Sequence, residues 1–290
     1  MTVIEEIAER VGPAVVGLRR GARGGSGVIV APGVVATLSR NVRGDTVSVA
    51  TADGAMHDAR VVGLDQSVDL AVLRLDDESV AIAEWSTEEP PPIGREVYAL
   101  ADPGGRGLRV TGGTVASAPR GVRGPAGRLI PGAIEHTAPL PRGSGGGPLV
   151  DRTGAVIGLN ALRRDGGLLL AWPAAALRER VAALASGAST APRRLGVALL
   201  GPRATRRMRH AVGLEDAGGL LVTAVEDDSA AAAAGLARGD VVVSAGGAEV
   251  TGLDDLYTAV DAAGDGPLEL DVLRGRERMA VQIPAKEVTA

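Results

Sequence analysis

The chain contains no cysteine and no phenylalanine, and only 2 Trp and 2 Tyr among its 290 residues. The first absence excludes disulfides and all thiol chemistry, from covalent catalysis to thiolate metal ligation. The second leaves core packing to valine, leucine, isoleucine and alanine. No apolar run reaches the roughly 18 residues that a membrane-crossing helix needs. Residues 1–20 carry Glu5, Glu6, Glu9 and Arg10 and lack the apolar stretch of a signal peptide. These absences set the expectation of a cytoplasmic protein without a membrane partner. Histidine is scarce: His57, His136 and His210 lie far apart, with no metal-ligand spacing. No metal and no cofactor is expected. Nor is nucleic acid, because the net charge is −4.

What is present is glycine. There are 42, about twice the average usage. Short apolar runs lie between them, which points to strands and tight turns in a mostly β chain. Ile4, Ile7, Ala8 and Val11 have the spacing of a short amphipathic helix. Strands are then expected at 14–18, 25–30, 34–38, 46–50, 60–64 and 70–75. A polar, proline-rich stretch at 76–94 follows. Further strands are expected at 96–101, 109–118, 129–137, 148–150, 156–161 and 168–172. This count fits two six-stranded barrels. A helix from Pro173 to Ser186 closes the first domain, with Pro173 at its first position and Gly187 as its cap. The domain boundaries expected are 1–186, a linker at 187–193, and 194–290.

The glycine-dense stretch Gly143-Ser144-Gly145-Gly146-Gly147-Pro148-Leu149 resembles the nucleophile loop of trypsin-like serine proteases of the HtrA/Deg type, which carry a C-terminal PDZ domain. In that family the loop reads Gly-Asn-Ser-Gly-Gly-Pro-Leu. Other landmarks follow in order. Gly25-Ser-Gly-Val-Ile29 is similar to the family's opening strand. Thr37-Leu-Ser-Arg40-Asn41-Val42 stands where the family has Thr-x-x-His-Val. Asp65-Gln-Ser-Val-Asp69-Leu-Ala-Val-Leu resembles the segment that supplies the triad carboxylate. Leu170-Ala-Trp-Pro173 stands where the family lines its primary specificity pocket. The resemblance implies a trypsin-like double β-barrel followed by an α+β PDZ domain.

The resemblance also implies a catalytic triad, and here the chain departs from it. The serine position is Gly145. The histidine position is Arg40, or Asn41 if the register slips by one. Arginine stays protonated and has no acceptor, so it cannot take a serine proton. Asp69 alone keeps its family identity, as a relic triad position. An ion pair from Arg40 to Asp69 across the old site is expected; the plainer alternative is an ordinary aspartate at a strand start. Gly143 belongs to the loop whose amides would form an oxyanion hole. Rescue by Ser144 and His136 requires a nucleophile within about 3 Å of its base. A hydroxyl displaced by one residue on a tight turn points elsewhere.

In the second domain, Leu195-Gly196-Val197 resembles the PDZ carboxylate-binding loop, and Ala234-Gly-Leu-Ala-Arg-Gly-Asp-Val-Val-Val243 is close to a PDZ family pattern. Ser229 reads as a helix cap and Gly246-Gly247 as a hairpin turn. Arg203, Arg206, Arg207 and Arg209, without aromatic residues between them, read as a solvated helix face. The resemblance assigns peptide binding to Arg194, Leu195, Gly196, Val197, Leu253 and Val260. The expected partners are polypeptides or protein C-termini. The expected function is a pseudoprotease acting as adaptor, sensor or regulatory subunit. The alternatives are a serine endopeptidase with a non-standard arrangement, and a scaffold that binds nothing. An oligomer is compatible with the sequence, but the aromatic N-terminal contacts of the family's trimers are absent.

Overall fold

The computed structural model describes residues 1–20, 23–78, 80–123, 129–163, 167–187 and 195–285. The chain forms two compact units, Met1–Ala191 and Pro192–Ala290. The division between them falls inside 187–193, and of that segment only Gly187 is among the described residues.

The first unit opens with helix α1 (Val3–Val11), which a Thr2–Glu5 capping box starts. Ile7 and Val11 are buried, whereas Ile4 is 42% exposed. The helix is thus anchored by a narrower stripe than its sequence spacing suggests. Six strands then close into a barrel: β1 (Val15–Arg20), β2 (Arg23–Ala31), β3 (Val34–Thr37), β4 (Thr46–Ala50), β5 (Met56–Asp65) and β6 (Leu70–Arg74). Their order is β1-β2-β3-β6-β5-β4, with β4 returning to β1. All four residues of β3 are buried.

Seven more strands follow: β7 (Glu96–Ala101), β8 (Arg109–Thr114), β9 (Arg120–Arg123), β10 (Leu129–His136), β11 (Pro148–Val150), β12 (Val156–Arg163) and β13 (Leu169–Pro173). Their order is β8-β7-β11-β12-β13-β10-β9. The sequence predicts a second six-stranded barrel here; the structure has a seven-stranded sheet. Pro131 and Gly132 interrupt β10, Gly132 with φ of +71°. The register slips there, and the strand's first half pairs with the unforeseen β9. The end of β8 meets the end of β10 through the Val115–His136 bridge, with the Ala116 amide donating to the Glu135 carbonyl at 2.7 Å and the Thr137 amide to that of Thr114 at 3.0 Å.

Helix α2 (Ala174–Ala185) packs Leu177, Val181 and Leu184 inward. Gly63 admits it closely, since a Cβ there would lie 2.5 Å from a methyl carbon of Leu184. Arg180 donates to the buried carboxylate of Asp65 at 2.6 Å. Pro173 ends β13 and caps α2 rather than entering it, and Gly187 follows the cap with φ of +81°.

The second unit contains β14 (Val197–Leu200), α3 (Pro202–Ala211), β15 (Leu220–Val225), α4 (Ala230–Ala233), β16 (Val241–Ala245), β17 (Ala248–Glu249), α5 (Leu253–Ala263), β18 (Leu268–Arg274) and β19 (Glu277–Ile283). The sheet runs β14-β15-β16-β18-β19, with β17 paired to β16. Ser229 caps α4 through the Ala232 amide at 3.1 Å. Inside, the buried Asp240 carboxylate takes two bonds of 2.8 Å from Arg274. Burial pushes that carboxyl up, but the bonds from Arg274 and from the Ala237 amide outweigh it and hold the group below its ordinary value. Among the described residues, no helix is long and apolar enough to cross a membrane.

Candidate functional site

The loop from Pro141 to Gly147 carries β10 into β11. Its glycines have different reasons. At Gly146, φ is +93° and a Cβ would lie 2.2 Å from the Ser26 carbonyl oxygen. At Gly147 it would lie 2.2 Å from that of Leu100. No side chain fits at either position. Gly145 is different. A Cβ there would lie 3.1 Å from the Leu38 methyl Cδ1 and 3.8 Å from the carbonyl oxygens of Ala161 and Asn160, and its φ is not in the left-handed region. The fold therefore has room for a side chain where the sequence places none.

The loop is clamped from outside. The Gly145 carbonyl accepts from the Ser26 amide at 3.0 Å and from Asn41 Nδ2 at 2.8 Å. The Gly146 amide donates to the Asn160 carbonyl at 2.8 Å, and that of Gly147 to Ser144 at 3.1 Å. The amides of Gly143 and Gly145 take no acceptor among the described residues. They are the donors the loop leaves available for an oxyanion.

Arg40 lies in a single 3-10 turn, Ser39–Asn41, directly after β3. Asp69 precedes β6 with φ of +54°, a conformation Asp tolerates better than most residues. Arg40 Nη2 stands 3.2 Å from Asp69 Oδ2, with the side chains 39% and 2% exposed. The expected ion pair is therefore present. The other carboxylate oxygen accepts from the Ser39 hydroxyl at 2.8 Å and the Arg40 amide at 3.2 Å. Oδ2 has no aligned hydrogen-bond donor and depends on the guanidinium charge. The guanidinium also donates to the Ala161 carbonyl, bridging the barrel to β12. Asn41, the residue of the alternative register, faces the loop instead, binding Gly145 and the Thr37 hydroxyl.

His136 is fully buried, and Nε2 lies 3.0 Å from Asn160 Oδ1. Asn160 Nδ2 donates to the carbonyls of Gly147 and Pro148, both at 3.0 Å. Its oxygen therefore faces the ring, and Nε2 carries the proton. Nδ1 is left as a buried acceptor without a partner. Burial lowers the His136 pKa to about 4, against the opposing bond to Asn160. The Ser144 hydroxyl is also buried and has no partner. The structure thus forms no Ser144–His136 hydrogen bond. His57 lies in β5 and His210 in the other unit. Asn160 is a residue the sequence reading missed. The one signal was an amide side chain inside the apolar strand Val156-Ile-Gly-Leu-Asn160.

A cleft of about 370 Å³ lies beside the loop, lined by Leu140, Arg142, Ser144, Asn160, Ala161 and Leu169 among others. In the second unit, Gly196 has φ of +77°, and a Cβ there would meet Ser229 at 2.2 Å. Leu195 and Val260 belong to the core cluster, and Val197 and Leu253 pack partly buried against it. Leu195 and Val260 thus supply at most the floor of a groove. Arg194 lies outside the described residues. Among the described residues, no cluster of acidic and histidine side chains is suited to a metal ion.

The sequence matches the trypsin-like peptidase domain family over residues 25–159 and the PDZ domain family over residues 221–274. It is 30% identical to the putative serine protease HhoA of Synechocystis, covering 93% of this chain and 72% of that protein. It is 28% identical to the serine protease HTRA1 of Xenopus tropicalis, over 98% of this chain and 67% of the relative. A probable periplasmic serine endoprotease DegP-like of Pseudomonas savastanoi is 29% identical over 89% of this chain. The chain spans only 55% of that relative's length. Among solved structures, HtrA-type protease AlgW with decapeptide superposes with a TM-score of 0.77 at 23% identity, covering 99% of each chain.

Two outcomes test this geometry. Asp69→Asn keeps the backbone preference and removes the charge that holds Arg40. It should cost about 1–2 kcal/mol, a fall of a few degrees in melting temperature. An unchanged melting temperature would mean the pair contributes nothing. The second concerns pH. His136 titrates near 4 when folded, against about 6.5 unfolded, so the unfolded state takes up the proton first. Its contribution is full above about pH 6.5 and is lost as pH falls to about 4, amounting to about 3 kcal/mol. In thermal melts, His136→Gln should flatten the wild-type decline across that window.

Proposed function

The chain belongs to the HtrA type of trypsin-like serine protease with a PDZ domain, and on that footing we propose that it captures polypeptide segments without cutting them. The observation that carries this reading is the occupation of the old base position. Arg40 is held there by Asp69 and by the Ala161 carbonyl. It is a permanent cation with no lone pair to accept a proton. The nucleophile position carries no side chain, although the backbone has space for one. The relatives are named as serine proteases; this chain keeps their loop and lacks the groups that move the proton and attack the carbonyl.

Capture is assigned to the second unit. Strand β14 pairs only with β15 among the described residues and leaves its other edge open. An extended peptide that adds there gains main-chain hydrogen bonds. The left-handed Gly196 at the head of the strand turns the backbone so that amides around it meet a terminal carboxylate. The role that follows is that of an adaptor, sensor or regulatory subunit that recognises polypeptide ends.

A second reading is retained because of one observation. The Ser144 hydroxyl and His136 Nδ1 are both buried without partners. A rearrangement that joined them would make an endopeptidase of unusual arrangement.

One experiment separates the two readings. The wild-type protein should neither cleave casein nor react with a fluorophosphonate probe. Gly145→Ser alone should stay unlabelled for want of a base, and Gly145→Ser with Arg40→His should acquire labelling. Wild-type labelling that disappears in Ser144→Ala would establish the second reading. For capture, amidating the C-terminus of a bound apolar peptide should weaken it about tenfold or more, measured by fluorescence anisotropy. Equal affinity for free and amidated forms would remove the carboxylate site.

A further inference from the structure

Resting on the peptide-capture reading, we infer that the second unit selects polypeptide C-termini with acidic residues about four to six positions before an apolar end. The direction of the bound chain follows from its anchor. A terminal carboxylate held at Gly196 lies at the start of β14, so the upstream part runs antiparallel toward Leu200. At about 3.3 Å per residue, the four positions Val197–Leu200 carry the peptide roughly 10 Å along the edge. The residues beyond that point reach the first turns of α3.

That helix presents a basic surface. Arg203, Arg206 and Arg207 are exposed, and none forms an ion pair with a described residue. Arg203 and Arg206 line a shallow hollow of about 560 Å³ with Gly201, Pro202 and Thr251. Arg209, the fourth arginine of the run, is not part of this surface. It is buried and spends its guanidinium on the carbonyls of Glu215 and Gly275, at 2.9 and 3.1 Å. Its neighbours are thus separated by function: one arginine holds the helix to the domain, and three face solvent at the end of an open strand.

The opposite end of the same edge carries the other sign. The turn after β15 contains Glu226, Asp227 and Asp228, all exposed, and the Glu226 amide donates to the Gly196 carbonyl at 2.8 Å. Among the described residues, charge therefore changes sign along β14, from carboxylates beside Gly196 to guanidinium groups beside α3. An acidic side chain gains only at the upstream positions and loses near the end. Position is selected as well as composition.

The test uses the full chain and short fluorescein-labelled peptides that share one apolar C-terminal triplet. One peptide carries Asp and Glu four to six positions before the end, one carries Lys there, and one carries Ser. A fourth has the same acidic residues moved next to the triplet. Exposed ion pairs of this kind predict about threefold to tenfold tighter binding of the first peptide than of the Ser peptide at low salt. The Lys peptide and the moved-acid peptide should bind more weakly than the Ser peptide. The double variant Arg203→Gln/Arg206→Gln should erase the acidic preference while leaving the Ser peptide's affinity unchanged, and high salt should do the same. Binding of all four peptides with equal affinity overturns this inference and leaves capture standing. Binding of none overturns capture and this inference together. A single-stranded oligonucleotide that binds more tightly than the acidic peptide, through the same arginines, overturns it in favour of nucleic acid.

Discussion

A carboxylate removed from water must be met by a cation or by donors, and at Asp69 that demand organises the cleft. One oxygen is served by the Ser39 hydroxyl and the Arg40 amide, both from the turn after β3. The other has only the Arg40 guanidinium. A triad of the trypsin-like kind meets the same demand with imidazole, which also exchanges protons. Arginine satisfies the electrostatics but has no lone pair to accept a proton. The cost of leaving a buried aspartate unpaired is therefore a physical reason for a cation at position 40, independent of catalysis.

The nucleophile loop is preserved by constraints that do not involve a nucleophile. Gly146 and Gly147 face carbonyl oxygens at distances no Cβ can share. Asn160 holds two loop carbonyls with its amide and is itself fixed by His136. Ser26 and Asn41 hold the Gly145 carbonyl. These contacts pin the loop whatever residue stands at 145. They hold the direction of the loop amides, which depends on these partners and not on the side chain at 145.

The second unit builds its core without phenylalanine, from leucine, valine, isoleucine and alanine around the Asp240–Arg274 pair. Small apolar side chains fill a thin sheet-and-helix layer, and an ion pair with two further hydrogen-bond partners, the Ala237 amide and the Gly235 carbonyl, tolerates burial. Among the described residues, β14 and β19 are the edge strands of this sheet, and each pairs on one side only.

The parts read correctly from sequence are those encoded by neighbours in the chain. The motif order set Arg40 against Asp69, and the structure has that ion pair. Ser229 as a cap and Gly246-Gly247 as a turn between β16 and β17 are local chemistry, and the structure has both. What tertiary structure alone decided depends on which surfaces meet. Spacing placed Ile4 on the apolar face, but no core reached it. Strand count gave no sign of β9, which pairs with the first half of β10 where a bulge at Pro131-Gly132 shifts the register. Arg209 looked like its solvent-facing neighbours, but the carbonyls of Glu215, six residues on, and of the distant Gly275 enclose it. Nothing local marked Asn160 as the tie beneath the loop, because its partners lie 12 to 24 residues away. Turn chemistry and family motifs are properties of a segment; burial and hydrogen-bond satisfaction belong to pairs of segments, and only the folded chain chooses the pairs.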